Sequence, residues 1–309
     1  MPLSSSGRTI HLRAVAIALG VTFLWSSSWV LVRWGLDQES LEPVTFAGLR
    51  YGLAALVLVG WVASRRSLRR NLRELSRRAI AQIVVLGVLF YALTQGAQFV
   101  AIDNQPAATT SLVLSWTPLL VALLGGRSIA EAASRRQLVG TLLVVGGAWL
   151  YLAGDIGASA VGMAAAGVAL GSNVVSTLLG RHVNRQARFE PVVVTALSMS
   201  VGAVLLAAAG AVAEDMPPIS ARGWVIIFWL ALVNTALAFT LWNLALRRLT
   251  ALESAAINNT MLVQIAFLAW IALDEALGYR ELAGIALVSA GVFMTQSTAA
   301  RRAAPPGPR

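Results

Sequence analysis

Residues 107–154 read AATTSLVLSWTPLLVALLGGRSIAEAASRRQLVGTLLVVGGAWLYLAG. Residues 251–298 read ALESAAINNTMLVQIAFLAWIALDEALGYRELAGIALVSAGVFMTQST. A constant offset of 144 lays Glu131 on Glu275, Arg136 on Arg280, Leu138 on Leu282, Gly140 on Gly284 and Gly147 on Gly291. Another block repeats at an offset of 148, where Arg33 falls on Arg181 and Glu42-Pro43 on Glu190-Pro191. The four-residue difference fits a longer connection in the first half, between about Ser64 and Arg78. Self-similarity on this scale constrains the fold before any local motif does.

The chain of 309 residues is 57% hydrophobic and 12% charged, against roughly 25% charged in an average soluble domain. So much apolar surface requires lipid as solvent. Cysteine is absent, which excludes disulfides, thiolate metal sites and cysteine nucleophiles. The net charge of +10 comes from arginine, since no lysine is present. The first apolar run, after MPLSSSGRTIHLR, is too long for a signal-peptide core and has no small-residue cleavage site, so it reads as a retained span.

A helix crosses a bilayer with roughly 20 apolar residues. Ten runs meet this expectation, at about 14–34, 44–63, 79–102, 107–126, 138–153, 157–180, 191–213, 224–246, 254–273 and 282–297. The fifth and tenth are shorter than the rest and hold matching places in the two halves. Twenty of the 24 arginines fall on one side of this topology, including all seven in the segment 65–78. Basic loops stay in the cytoplasm, so both termini are expected there, which requires an even number of spans. Each half then holds five, and an odd-numbered repeat unit must insert its second copy upside down. The expected fold is an all-α membrane protein of two inverted five-helix repeats, 1–154 and 155–298, followed by a disordered cytoplasmic tail, 299–309. The arginine-rich segment reads as a cytoplasmic loop drawn to anionic lipid.

A group of residues in fixed order gives this plan a family likeness. Trp25-Ser26 lies early in span one, Arg50 early in span two, and Pro118 within span four. A Glu–Arg–Gly pattern follows spans four and nine, as Glu131, Arg136, Gly140 and as Glu275, Arg280, Gly284. In this the chain resembles the EamA branch of the drug/metabolite transporter (DMT) superfamily, over nearly its whole length. Within that branch it is similar to YddG-type exporters of amino acids, although Ser26 stands where those carry a glycine. The resemblance implies a bacterial inner-membrane secondary transporter that exports amino acids, aromatic and apolar ones among them, by alternating access. It implies no cofactor and no enzymatic activity.

Polar residues inside spans are costly unless they face a cavity or a partner. On that ground the expected substrate-binding residues are Tyr91, Gln95 and Gln98 on span three, Trp116 on span four, Asn173 on span six, Asn234 and Trp242 on span eight, and Asn258 and Asn259 on span nine. Each has a structural alternative, since such groups also bond helix to helix. Aromatic walls with amide groups suit a cargo that is partly apolar and partly polar. Arg50, the one full charge well inside a span, is read first as structural and second as an attractor of a substrate carboxylate. Pro118 removes a backbone hydrogen bond within span four and marks a hinge, with a matching weak point expected near Asn258-Asn259.

All fourteen acidic residues lie in loops or at helix ends, and no span centre carries Asp, Glu or His. The usual carboxylate proton carrier is therefore missing. No metal site, P-loop or hydrolase elbow is visible. The expected partners are small molecules and the lipid bilayer, without nucleic acid. One chain already holds both halves, so a monomer is expected. A DMT-fold transporter of a sugar phosphate, nucleotide sugar or drug remains open, as does a membrane enzyme or lipid-handling protein.

Overall fold

The computed structural model describes residues 5–105, 107–125, 134–152, 158–185, 190–215, 218–258, 260–261, 263–264, 268 and 278–302. Its helices are α1 (Ser5–Glu39), α2 (Pro43–Ser64), α3 (Arg66–Arg73), α4 (Arg77–Asn104), α5 (Ala107–Leu114) and α6 (Thr117–Gly125), then α7 (Arg135–Leu152), α8 (Ala160–Arg185), α9 (Pro191–Ala213), α10 (Ala221–Leu246), α11 (Ala251–Asn258) and α12 (Tyr279–Arg302). No strand occurs among the described residues. Six of these helices, α1, α2, α4, α8, α9 and α10, are long and apolar enough to cross a membrane. Leu56, Val57, Val204, Val212, Val225 and Trp229 point outward and are exposed, as lipid-facing side chains must be.

Three differences from the sequence reading have local causes. The first helix runs well beyond 14–34 at both ends, because apolar character marks only the lipid-buried part of a helix. The segment expected as a loop contains α3. It packs Leu68 and Leu72 on the core while its arginines stay at the surface. The last helix continues to Arg302, into the stretch expected to be disordered, and residues 303–309 lie outside the described residues.

The glycines that mark the repeat are packing devices. A Cβ on Gly147 would stand 2.7 Å from the carbonyl oxygen of Gly284, and one on Gly284 would stand 2.7 Å from that of Gly147. Gly291 faces Gly140 in the same way. Residue 140 thus meets 291 while 147 meets 284, so α7 and α12 pack antiparallel with backbones in contact. Small residues permit that approach in lipid.

The helices that open with Glu-Pro form another such pair. Proline suits the first helical position, where its missing N–H is no loss. Gly48 of α2 packs against Ala207 of α9, and Gly210 against Thr45, again antiparallel. Glu214, just beyond α9, accepts from the N–H groups of Val44 (2.9 Å) and Thr45 (2.6 Å) and so caps α2. At the start of α12 the Glu281 carboxylate, held by its own backbone N–H and by Arg280 at 2.8 Å, sits below the usual carboxylate range.

Two helices change pitch at matching places. α4 is π-helical over Gly87–Gln95, and α10 over Leu232–Leu237. An offset of 144 carries the first segment onto residues 231–239, so it contains the second. Such wide turns recur at functional sites. Two others break at matching places. Between α5 and α6 the chain turns at Ser115-Trp116, two residues before Pro118. In the second half Thr260 lies in a turn, with its N–H and its hydroxyl both bonded to the carbonyl of Ile257, at 2.9 and 2.6 Å.

Candidate functional site: a central aromatic cavity

A cavity of about 140 Å³ lies among α1, α2, α4, α5, α6, α8, α10 and α11. Its floor is aromatic. The ring of Trp25 stands 4.8 Å from that of Phe239 and 5.1 Å from that of Trp242, both pairs tilted. Phe90 meets Phe239 edge-on at 5.5 Å, and Tyr51 adds a fourth side. Packing of this kind fixes each ring against its neighbours. The lining continues to Val32 and Ile102, near the far ends of α1 and α4.

Of the residues expected to line such a cavity, Gln95, Gln98, Asn173, Trp242 and Asn258 do so. The Tyr51 hydroxyl donates to Gln95 Oε1 at 2.7 Å, and Asn173 donates to Thr117 Oγ1 at 3.3 Å. Arg50 also lines the cavity, and it is tied to the fold as well. Its Nε donates to Thr235 Oγ1 at 2.7 Å, and its Nη2 reaches the carbonyl of Asn234 at 3.5 Å. The structural role and a cavity-facing position thus coexist.

Three expectations need correction. Tyr91 is buried behind the cavity wall, beside Phe239 at 5.1 Å, and borders a smaller void of about 20 Å³. Asn234 is fully buried and bonds α10 to α1, donating to the Leu24 carbonyl (2.5 Å) and Ser27 Oγ (3.1 Å). Trp116 is 37% exposed and does not line the cavity. Asn259 lies outside the described residues, as do Glu131 and Glu275. Conversely, Tyr51, Phe90, Thr94, Thr177 and Phe239 line the cavity and were missed, because a search for polar residues passes over rings such as Phe90 and Phe239, and lone hydroxyls are too common in membrane helices to stand out.

Below the aromatic floor, toward the arginine-rich end, helices are cross-linked by polar groups. Asn184 donates to Asn243 (2.7 Å), which donates to Thr195 Oγ1 (2.8 Å), joining α8, α10 and α9. Arg181 donates to the Leu246 carbonyl at 2.5 Å. Thr250 and Glu253 cap α11 reciprocally, and His11 of α1 stands 3.5 Å from the same carboxylate. These bonds hold that end together while the cavity occupies the middle of the bundle.

The EamA-like transporter family matches residues 12–153 and again residues 160–296. The chain belongs to that family. It is therefore a multi-pass membrane transporter with the DMT fold, and not an enzyme. It is 26% identical over 297 residues to a probable amino-acid metabolite efflux pump of Salmonella typhimurium, covering 90% of this chain and 93% of that one. It is 23% identical over 296 residues to an uncharacterized transporter of Bacillus subtilis, covering 92% and 97%. It is 24% identical over 270 residues to an S-adenosylmethionine/S-adenosylhomocysteine transporter of Chlamydia muridarum, covering 82% of each chain. A solved crystal structure superposes with a TM-score of 0.75 over 92% of this chain and 98% of its own, at 19% identity. This likeness supports the fold alone.

Proposed function

We propose that this EamA transporter exports amino acids with apolar or aromatic side chains, and related small metabolites, by alternating access of the central cavity. The observation that carries the reading is the cavity's composition. Rings of Trp25, Phe239 and Trp242 form an apolar floor, and Gln95, Gln98, Asn173 and Asn258 supply neutral hydrogen-bonding groups around it. Such a lining suits a cargo with one apolar and one polar end. The two interrupted helices and the two π-helical turns give the halves places to bend. No acidic side chain lines the cavity among the described residues, so the cycle runs without a carboxylate proton carrier there. Counterflow in proteoliposomes with each labelled amino acid tests the substrate class. Accumulation of aromatic or branched ones is the expected result, and uptake no higher than in empty liposomes for all twenty rejects it.

The transporter works as a monomer of ten spans in the bacterial inner membrane, with both termini in the cytoplasm, as the arginine-rich loops direct. A single cysteine introduced at position 4 of this cysteine-free chain is expected to resist a membrane-impermeant thiol reagent in intact spheroplasts. Rapid labelling there reverses the orientation. A second reading, an amino acid carrying a nucleobase, is favoured by the aromatic floor together with the relative named for S-adenosylmethionine transport. The same counterflow assay, with labelled S-adenosylmethionine added, separates the two.

A further inference from the structure

The cavity lining carries one full charge among the described residues, Arg50, and the fold does not neutralise it. Arg50 is 4% exposed. Its partners are the hydroxyl of Thr235, the carbonyl of Asn234 and the ring of Tyr51, whose centre is 5.2 Å from the guanidinium carbon. All three are neutral. Among the described residues no carboxylate comes within 4.0 Å of it. A buried charge left without a counter-ion is strongly unfavourable. The repeat-equivalent position is Ser198, so packing at this helix crossing does not demand a charge. A group outside the fold is the remaining candidate for the counter-ion.

We propose that Arg50 binds a single carboxylate of the transported substrate, and that the apolar body of the substrate rests on Trp25, Phe239 and Trp242. The cargo is thereby restricted to monocarboxylates with an apolar or aromatic body. This assignment rests on the transport reading above. The guanidinium has five N–H donors in a fixed fork, and Thr235 and Asn234 engage two nitrogens without using them all. Thr235 sets the plane of the fork, which lowers the ordering cost of binding an anion. Gln95 adds a donor, because Tyr51 occupies its carbonyl oxygen and leaves its amide NH2 available. A phosphate monoester brings nearly two charges and three acceptor oxygens, and the lining offers no second cation among the described residues to meet them. Among the described residues no acidic side chain lines the cavity to meet an ammonium either. The carboxylate is therefore required more strictly than the amine.

The test uses the full chain in detergent, with intrinsic tryptophan fluorescence as the binding signal. The probes are L-phenylalanine, its methyl ester, phenethylamine and 3-phenylpropionate. The two free acids are expected to bind, and the two compounds lacking a carboxylate to bind at least about 10-fold more weakly, since a site built around a polar group rejects analogues without it. In Arg50→Gln the four affinities are expected to converge within about twofold, and Arg50→Lys to restore part of the preference. A wild-type protein that binds the methyl ester as tightly as phenylalanine, or that binds none of the four, overturns the proposal. That comparison needs no variant, so it stands if Arg50→Gln fails to fold. If counterflow succeeds with amino acids while the ester binds equally well, this inference fails alone. If counterflow fails for every amino acid, the transport reading fails first.

Discussion

The π-helical turns of α4 and α10 occupy equivalent places, and each packs on a helix of the other half, yet they fill the contact in opposite ways. On α4 the turn presents a large residue, Tyr91, to α9, where Gly202 lies against its Cβ and Ser198 sits over Gly87. On α10 the residue equivalent to Tyr91 is Thr235, and the facing helix supplies the bulk as Arg50, the equivalent of Ser198. Large meets small in both crossings, but the large side chain comes from the turn in one and from the opposing helix in the other. The repeat thus keeps total volume, which dense packing demands, while leaving chemistry free to diverge. Only the second arrangement brings a charge to the cavity wall. The halves are equal as scaffolds and unequal as binding surfaces.

If that contrast is correct, matched polar-to-apolar changes at the two equivalent positions have different consequences. Thr235→Val keeps shape and removes the acceptor for Arg50 Nε, leaving a charged donor buried and unpaired. A loss of about 1.5 kcal/mol in SDS-titrated unfolding is expected, between the usual value for bonds to charged groups and the smaller average found inside membranes. The preference for free acids over esters should weaken with it, because the fork is no longer held. An unchanged unfolding midpoint in Thr235→Val removes the claim that this hydroxyl anchors Arg50.

The sequence made the scaffold legible for a physical reason. Lipid imposes long apolar runs, and the glycines of α7 and α12 have to recur because backbones touch there. Which polar residues face the cavity was only partly legible, because polarity inside a span does not give direction. Gln98 and Trp242, in α-helical turns, and Gln95, the last residue of a π-helical turn, line the cavity as expected, while Tyr91 and Asn234, inside the π-helical turns, do not. An i→i+5 turn admits an extra residue, so residues within it need not keep the faces that 3.6 residues per turn would assign. Trp116 fails for a related reason, as it sits in the break between α5 and α6. Nothing in the composition of 87–95 or 232–237 announces the wider turn, and the close approach of Gly87 to the Ser198 carbonyl becomes visible only in three dimensions.

Tyr91→Phe is the mirror experiment, and its expected effect is the smallest. The Tyr91 hydroxyl is buried and faces Ser198 of α9, whose own hydroxyl donates to the Val194 carbonyl, and it makes no hydrogen bond of good geometry among the described residues. Its ring, by contrast, is held by Tyr51 at 5.7 Å, Phe90 at 5.2 Å and Phe239 at 5.1 Å, and phenylalanine preserves all three contacts. Removing a buried unsatisfied hydroxyl relieves a desolvation penalty, so the unfolding free energy should stay within about 0.5 kcal/mol of wild type or rise. Substrate preference should not move, because the side chain stands behind the wall. A drop as large as that of Thr235→Val would show that the hydroxyl has a partner across α9. The two crossings would then be alike in polarity as well as in volume, and the asymmetry argued for Arg50 would lose its structural basis.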